Sequence, residues 1–371
     1  MKRRVAWIVA GLLAAAVPAA AQVAAPPALS ADIQKAAVLG VMTRAADWQL
    51  AHPSSHAPYD WTQAAFYTGM MALAEVAPDG KYFAAMRAMG EANQWRPGLR
   101  PGHADDYAVI ATYAKIFDRE KDKRLLAPAL ALFNFLASRP YDEPLSWGNA
   151  IERRELAWCD ALFMGPPPLA AVSRVTGDRK YLDLANRLWW KTTDFLYDKE
   201  ERLYYRDSRF FEPREPNGKK VFWSRGNGWV IAGLARVLAD MPADYPDRPR
   251  YVALFKEMAA RVAGLQGDDG YWRSSLLDPA SRPNPETSGT GFFVFSLAWG
   301  INSGLLDRAT YEPHVRKGWS ALVKAVHPDG MLGWVQRIGD QPGATSQDTT
   351  EVYGAGALLL AGAEVYRLAG K

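Results

Sequence analysis

The sequence predicts an all-α protein built as an (α/α)6 barrel, a closed ring of six helix hairpins. Six short clusters rich in Trp, Gly and acid or amide side chains each run directly into an apolar stretch. Their markers lie 45, 54, 66, 60 and 64 residues apart, and are Trp61, Asp106, Asp160, Gly226, Glu286 and Thr350. Recurrence at this spacing is typical of stacked helix pairs with one polar helix start in each pair.

The stretches that follow the clusters predict buried inner helices. Each is apolar on most of its faces and rich in Ala or Gly, which permits close approach between neighbouring helices. In chain order these stretches are residues 64–73, 107–117, 161–175, 230–238, 291–301 and 352–368.

Amphipathic segments alternate with the apolar ones and predict outer helices. Within residues 251–265, Phe255, Met258 and Val262 recur at helical spacing while charged residues fall on the other face, and residues 181–196 behave alike. Strand-like alternation is confined to brief hairpin candidates at 203–206 and 270–273. An open helical solenoid is the alternative, but it gives no reason for the polar clusters to precede only the buried helices.

Length and composition favour one large domain. The chain has 371 residues, of which 49% are hydrophobic, and no Pro- or Gly-rich linker divides residues 31–371. A net charge of +4 without a long basic stretch argues against nucleic acid as a partner. Cys159 is the only cysteine, so no internal disulfide forms. We expect no metal site, because no H-E-x-x-H motif occurs, and no cofactor.

The first residues predict export. A basic start at residues 1–4 precedes an apolar run over residues 5–21 that ends in small side chains. This pattern is typical of a cleaved secretory signal over residues 1–21, with a flexible lead-in over residues 22–30; a retained membrane anchor is the alternative. We therefore expect a periplasmic or secreted monomer with no membrane association once the signal is removed.

The most distinctive cluster spans residues 223–229. Two glycines flank Asn227 at the start of a helix, where free N–H groups and Arg225 could together bind a carboxylate. Trp223 and Trp229 offer ring faces on which a sugar could stack. A glycine-rich turn with its Trp rings in the core is the alternative interpretation.

Two further clusters supply carboxyl groups. Asp160 follows Trp158 at a helix start, and a proline run at residues 166–168 could begin the helix proper and leave Asp160 free of capping. Beside apolar surface its pKa would rise, as a general acid requires. Cys159 lacks a nearby activating base and is interpreted as a small buried residue.

The segment from His103 to Asp106 provides the second carboxylate. Asp105 and Asp106 both precede an apolar stretch, and one of them is expected to act only as a helix cap. A second carboxylate near Asp160 would help to keep that side chain protonated, because like charges disfavour full ionisation. Thr287, in a cluster that capping explains equally well, is a candidate for contacting substrate hydroxyls.

At these clusters the chain resembles the unsaturated rhamnogalacturonyl hydrolases of glycoside hydrolase family 105, with the unsaturated glucuronyl hydrolases of family 88 as close relatives. The matching segments span nearly the whole chain after the signal, in order. They are Asp60-Trp61 with Gly69, His103 to Asp106, Trp158 to Met164, Trp223 to Trp229 and Glu286 to Thr290.

The resemblance implies an (α/α)6 barrel enzyme that removes a 4,5-unsaturated uronic acid from the non-reducing end of oligosaccharides left by polysaccharide lyases. It implies that Asp160 protonates C4 of the vinyl ether, water adds at C5, and the hemiketal opens to release the remaining sugar. Asp106 assists, and Arg225 with Trp229 lies where the substrate carboxylate and ring bind. The loop 204–207 lacks the substrate-binding His of some members.

The remaining substrate contacts expected from the clusters are Trp61, His103, Asp105, Trp158, Trp223 and Asn227. Unsaturated galacturonyl-rhamnose from the pectin rhamnogalacturonan is the favoured substrate, and an unsaturated glucuronyl product is the alternative. Two other functions remain open: an ordinary inverting glycosidase, which needs two carboxylates separated by a water, and a non-catalytic sugar-binding protein.

Overall fold

The computed structural model describes residues 28–370, in which twelve of the fourteen α-helices form a double ring. The inner ring holds α2 (Trp61–Val76), α5 (Ile110–Glu120), α8 (Pro166–Thr176), α10 (Ser224–Asp240), α12 (Thr287–Asn302) and α14 (Val352–Leu368). The outer ring holds α1 (Lys35–Ala51), α3 (Lys81–Ala92), α6 (Ala127–Ser138), α9 (Arg179–Leu196), α11 (Arg248–Ala263) and α13 (Arg308–Ala325). Two one-turn helices, α4 (Ala104–Tyr107) and α7 (Ala161–Met164), precede α5 and α8.

The inner ring is closed. Each inner helix packs against the next in chain order, and α14 packs against α2. A Cβ on Gly69 of α2 would lie 2.5 Å from the carbonyl oxygen of Gly356 in α14, so these two helices touch through their backbones. The closure confirms the (α/α)6 barrel and excludes the open solenoid.

Burial separates the two kinds of helix as the sequence predicts. In α12 the first twelve residues, 287–298, are all buried, because other helices surround it. In α11, Phe255, Met258 and Val262 are buried, while Lys256 is exposed. The alternation of all-apolar and amphipathic segments therefore records the inner and outer positions.

Extended structure is minimal in the part of the chain that is described. A two-residue pair, β1 (Tyr197–Asp198) and β2 (Leu203–Tyr204), forms the predicted hairpin in a loop. The candidate hairpin at residues 270–273 contains no strand, so that expectation is wrong. Its Trp272 is buried instead, with its indole N–H donating to the carbonyl of Val262.

The predicted signal over residues 1–21 lies outside the described residues. Of the predicted lead-in only residues 28–30 are described, and Leu29 packs against the core. Between residues 28 and 370, no helix has the length and apolar character needed to cross a bilayer.

Candidate active site

Asp160 lies at the start of α7 without acting as its cap. It occupies the N-cap position, but its side chain accepts no capping hydrogen bond. The four-residue α7 ends before Pro166 opens α8, as the proline run suggested. Oδ2 of Asp160 lies 3.4 Å from the Cys159 thiol, which donates to it, and 3.7 Å from Nε of Arg206. The side chain is 13% exposed, so a substrate group can still reach it.

Asp105 and Asp160 form a coupled carboxyl pair. Burial raises the pKa of Asp160, against the opposing effect of Arg206. Burial, and then the charge of Asp160, raises the pKa of Asp105 to about 8. Since two neighbouring carboxyl groups resist simultaneous ionisation, the pair retains a proton near neutral pH. A retained proton is what a general acid needs.

Asp106 has a different environment from the one we expected. Its carboxylate accepts from Nε of Arg100 at 2.9 Å and from the backbone N–H of Arg100 at 2.7 Å. Both oxygens are therefore occupied by one arginine. Successive helical residues point about 100° apart, so Asp105 and Asp106 cannot both face Asp160. The structure leaves Asp105 as the carboxyl group coupled to Asp160.

His103 supports Asp105. Its ring is buried and packs 5.1 Å from the Trp158 ring, and Nδ1 accepts from the backbone N–H of Asp105 at 3.3 Å. Burial, with the nearby charge of Arg100, lowers the pKa of His103 to about 4, so the ring is neutral at pH 7. His103 and Trp158 thus lie beside the carboxyl pair, as the sequence suggested.

Arg225 is not an open carboxylate receptor. It is fully buried, and its guanidinium donates to the backbone carbonyls of Gln336 at 2.6 Å and Arg337 at 3.0 Å. It also lies 4.4 Å from the Trp223 ring, whose N–H donates to the side chain of Gln336. Arg225 and Trp223 therefore fasten the start of α10 to the loop that leads into α14.

Three other candidates are scaffold residues by geometry. Asn227 accepts from the backbone N–H of Tyr204 at 2.8 Å and donates to its carbonyl at 3.0 Å. Thr287 donates to the carbonyl of Gly333, and the ring of Trp229 is fully buried among other aromatic rings. Trp61 differs, because its partly exposed ring could still receive a sugar.

Sequence reasoning missed Arg206 and Trp147. Arg206 is 15% exposed, pairs with Asp207 at 2.6 Å, and its Nε lacks a hydrogen-bond partner within the described chain. The guanidinium groups of Arg206 and Arg209 lie 4.8 and 4.7 Å from the Trp147 ring. No signal in the sequence marked Arg206, because the contact between Asn227 and Tyr204 that holds its loop is seen only in the fold. Trp147 lies in an irregular loop, likewise without a sequence signal.

The arrangement suits acid–base chemistry on an anionic ring. A carboxyl pair that shares a proton can protonate and then deprotonate a substrate. The guanidinium of Arg206, whose side chain is 15% exposed, places a positive charge beside Asp160 that would attract a substrate carboxylate. Partly exposed Trp rings at 61 and 147 offer stacking faces.

The chain is similar to known proteins over most of its length. The profile of Glycosyl Hydrolase Family 88 matches residues 35–369. A relative named unsaturated 3S-rhamnoglycuronyl hydrolase, from Formosa agariphila, is 44% identical over 88% of this chain and 90% of its own length. A protein of the same name from an Alteromonas species is 37% identical over 86% of this chain and 84% of its own.

Two solved structures share the fold and part of the sequence. One, described as a polysaccharide lyase, superposes with a TM-score of 0.83 at 32% identity, covering 91% of this chain and 98% of its own. The other, a family 88 glycosyl hydrolase from Bacteroides vulgatus, superposes with a TM-score of 0.81 at 30% identity, covering 90% of this chain and 99% of its own.

Proposed function

The chain belongs to glycoside hydrolase family 88, and on that premise we propose that it removes a 4,5-unsaturated uronic acid from the non-reducing end of oligosaccharides by hydrating its vinyl ether. The observation that carries this proposal is the Asp105–Asp160 pair, whose raised pKa values keep a proton in the site. A vinyl ether needs one proton at carbon, and the pair supplies it.

The proposed reaction uses Asp160 as both acid and base. Its proton forms a bond to C4 while the C4=C5 electrons move to that carbon, and water adds at C5. The water proton returns to Asp160, and the hemiketal at C5 opens. The former ring oxygen then remains on C1, whose hemiacetal collapses and releases the next sugar with its glycosidic oxygen.

Asp105 and Arg206 take supporting roles in this proposal. Asp105, whose backbone N–H donates to His103, holds the proton of the pair at neutral pH, because burial and the charge of Asp160 raise its pKa, and it can pass that proton to Asp160. Arg206 is placed to attract the uronate carboxylate, because its side chain is 15% exposed and its Nε lies 3.7 Å from Oδ2 of Asp160. Arg225, by contrast, is fully buried and donates to two backbone carbonyls.

For the substrate, we propose that rhamnose follows the unsaturated uronate. The names of the two curated relatives support rhamnose, and their 3S prefix directs attention to rhamnose carrying a sulfate at O3. Rhamnogalacturonan, our expectation from the sequence, would supply the same sugar without sulfate. Pectin as the source and a monomeric enzyme both stay predictions.

The test follows the ultraviolet absorbance of the C4=C5 bond in purified disaccharides. Unsaturated uronyl-rhamnose with and without the 3-O-sulfate, and an unsaturated glucuronyl disaccharide, are compared in one assay. The proposal expects absorbance to fall, fastest with sulfated rhamnose. Turnover of saturated glycosides would indicate an ordinary glycosidase, and a rise in absorbance on intact polysaccharide would indicate a lyase.

We also propose export, on the basic start and apolar run of residues 1–21. N-terminal sequencing of protein from the periplasmic fraction should give a chain that begins near residue 22. A chain that still begins at Met1 in the membrane fraction would favour the retained anchor.

A further inference from the structure

The one-turn helix α4 carries Asp105 but is too short to fix the direction of that side chain by itself. It spans only Ala104–Tyr107, and so short a helix is not stable through its own backbone hydrogen bonds. Asp105 must nevertheless stay close to Asp160, because a catalytic group that turns away loses most of its effect. Contacts from outside the helix must therefore hold α4 in place.

Residues 98–100 wrap around Asp106, which follows Asp105 in α4. The backbone N–H of Gly98 donates to the carbonyl of Asp106. The backbone N–H of Arg100 donates to Oδ2 of Asp106 at 2.7 Å, and Nε of Arg100 donates to Oδ1 at 2.9 Å. A Cβ on Gly98 would lie 2.6 Å from the Asp106 carboxylate, so only glycine allows the chain to come so close. We call these contacts the Arg100 clamp.

The Arg100 clamp contributes nothing to the hydrophobic core. No residue between 96 and 101 is buried, so the loop has no apolar anchor of its own. Asp106, by contrast, is 6% exposed, and burying a carboxylate loses hydration that an ion pair only partly restores. This costly contact joins a surface loop to the helix that carries Asp105, so its effect falls on the position of α4.

We propose that Arg100 is a positioning residue, which holds α4 through Asp106 so that Asp105 stays in the carboxyl pair. The inference rests on the function proposed above. Successive residues in a helix point about 100° apart, so an anchor on Asp106 also fixes the direction of Asp105. His103 secures the start of the same helix, since its Nδ1 accepts from the backbone N–H of Asp105.

The two partners in the clamp also act on Asp105 through their charges, in opposite directions. Burial is the main cause of the raised pKa of Asp105, and the charge of Asp106 adds to it, whereas the cation of Arg100 lowers it. His103 is neutral at pH 7 and adds no charge. The other carboxylates that raise this pKa are Asp160 and Asp60. Removing Arg100 or Asp106 therefore breaks the same clamp but moves the pKa of Asp105 in opposite directions.

The experiment measures turnover of the unsaturated disaccharide against pH in Arg100→Gln, Asp106→Asn and the double variant. Each single variant should lower kcat on its pH plateau by about 10- to 100-fold, because Asp105 loses its fixed direction. The double variant should lose about the same factor, since all three variants break one clamp. It also leaves no unpaired buried charge, which keeps the test decisive if Arg100→Gln alone is unstable. An unchanged kcat in the double variant would overturn the proposal.

The basic limb of the pH profile distinguishes the clamp from a general packing defect. Activity falls there as Asp105 loses its proton. The limb should move up by about half to one pH unit in Arg100→Gln, down by a similar amount in Asp106→Asn, and little in the double variant. Carbon-13 NMR titration of Asp105, assigned with Asp105→Asn, measures the same shifts without turnover. Shifts in one common direction, or none, would overturn the proposal, because a packing defect does not depend on the sign of the charge removed.

Arg124→Gln is the matched control. Arg124 binds Asp122 in the same manner, through its backbone N–H at 3.0 Å and its Nε at 3.1 Å, but at the far end of the barrel, where α5 finishes. It should keep the wild-type kcat and pH profile. If the pKa of Asp105 shifts as expected but no vinyl ether is hydrated, only the proposed function fails. If the disaccharide is turned over equally well without the clamp, only the role of Arg100 fails.

Discussion

The two ends of the barrel hold similar charged side chains in opposite states. At the N-terminal ends of the inner helices, burial raises the pKa values of Asp105 and Asp160. At the C-terminal ends, burial also opposes ionisation of Glu75, but Lys115 and Arg367 outweigh it and lower its pKa. Hydrogen bonds from Lys121 and Arg174 lower the pKa of Asp118. Both ends are built from the same helices. The pKa values differ because Glu75 and Asp118 have close cationic partners, whereas Asp105 and Asp160 do not.

This contrast separates the end of the barrel that can carry out catalysis from the end whose ion pairs stabilise the ring of helices. Ion pairs at the C-terminal ends connect five of the six inner helices: Glu75 binds Arg367 and Lys115, and Arg174 binds Asp118 and Asp240. A hydrogen bond from Asn302 to Glu364 joins α12 to α14. Glu75 and Asp118, whose pKa values are lowered by these partners, have no proton to give at neutral pH, whereas burial raises the pKa of Asp240 despite its bond to Arg174. At the other end Asp106 is bound by Arg100, but Asp105 and Asp160 have no such close cationic partner, and that is where acid–base chemistry is possible.

The largest effect that can test the contrast comes from Asp160. Asp160→Asn should lower turnover by roughly two to four orders of magnitude, because it removes a positioned acid–base group. Its Tm should stay close to that of the wild type, since the side chain caps no helix. Loss of stability with most activity retained would make Asp160 a structural residue and would erase the difference between the two ends.

Arg206 tests which arginine recognises the substrate. Arg206→Gln should lower kcat/KM on the uronate by about 10- to 100-fold, the loss expected from a charge-assisted contact of about 1.5–3 kcal/mol. The loss should be smaller on the methyl ester of the same substrate, which lacks the carboxylate charge. Arg209→Gln, beside the same Trp ring, serves as control. Equal losses on acid and ester would remove this role from Arg206.

The raised pKa of Asp105 predicts how the free energy of unfolding depends on pH. Its folded-state pKa is raised to about 8, so between about pH 4 and pH 8 the folded protein holds a proton that the unfolded chain releases, and stability falls as pH rises. Asp105→Asn cannot ionise and should gain about 1–3 kcal/mol over the wild type at pH 8, and much less at pH 5. Denaturant unfolding at both pH values measures this. A constant difference would mean that Asp105 is not protonated in the folded state.

The smallest effect belongs to the far end. Arg174→Met should cost about 1 kcal/mol of unfolding free energy, because Arg174 pairs with two carboxylates but is 38% exposed and screened by solvent. Turnover should not change. If activity fell in proportion to stability, the two ends would not be separable, and the division of labour proposed for them would fail.

The ring of helices was predictable because the hydrophobic patterns of inner and outer helices are visible in short stretches of the sequence. An inner helix must be apolar on most faces, an outer one on only one face, and each pattern is complete within about fifteen residues. The position of Asp160 could also be anticipated, since the proline run that frees it lies directly after α7.

The roles of Arg225, Asn227 and Thr287 could not be read in the same way. In the sequence, a polar residue beside Trp gives the same pattern whether it binds a substrate or a backbone carbonyl. The partner of Arg225 is the carbonyl of Gln336, more than a hundred residues away. The choice between Asp105 and Asp106 depended on where Arg100 places its guanidinium. Such pairings arise only when loops from different hairpins meet.

The most direct test of the central account is the fate of C4 during turnover in deuterated water. Hydration of the vinyl ether from the carboxyl pair predicts one deuterium at C4, on a single face, in product analysed by NMR early in the reaction. Slow exchange next to the C5 ketone would label both positions, so product isolated in ordinary water and then placed in deuterated water gives the background. An early product without the single-face label would contradict protonation by Asp160, and with it the assignment of the catalytic end.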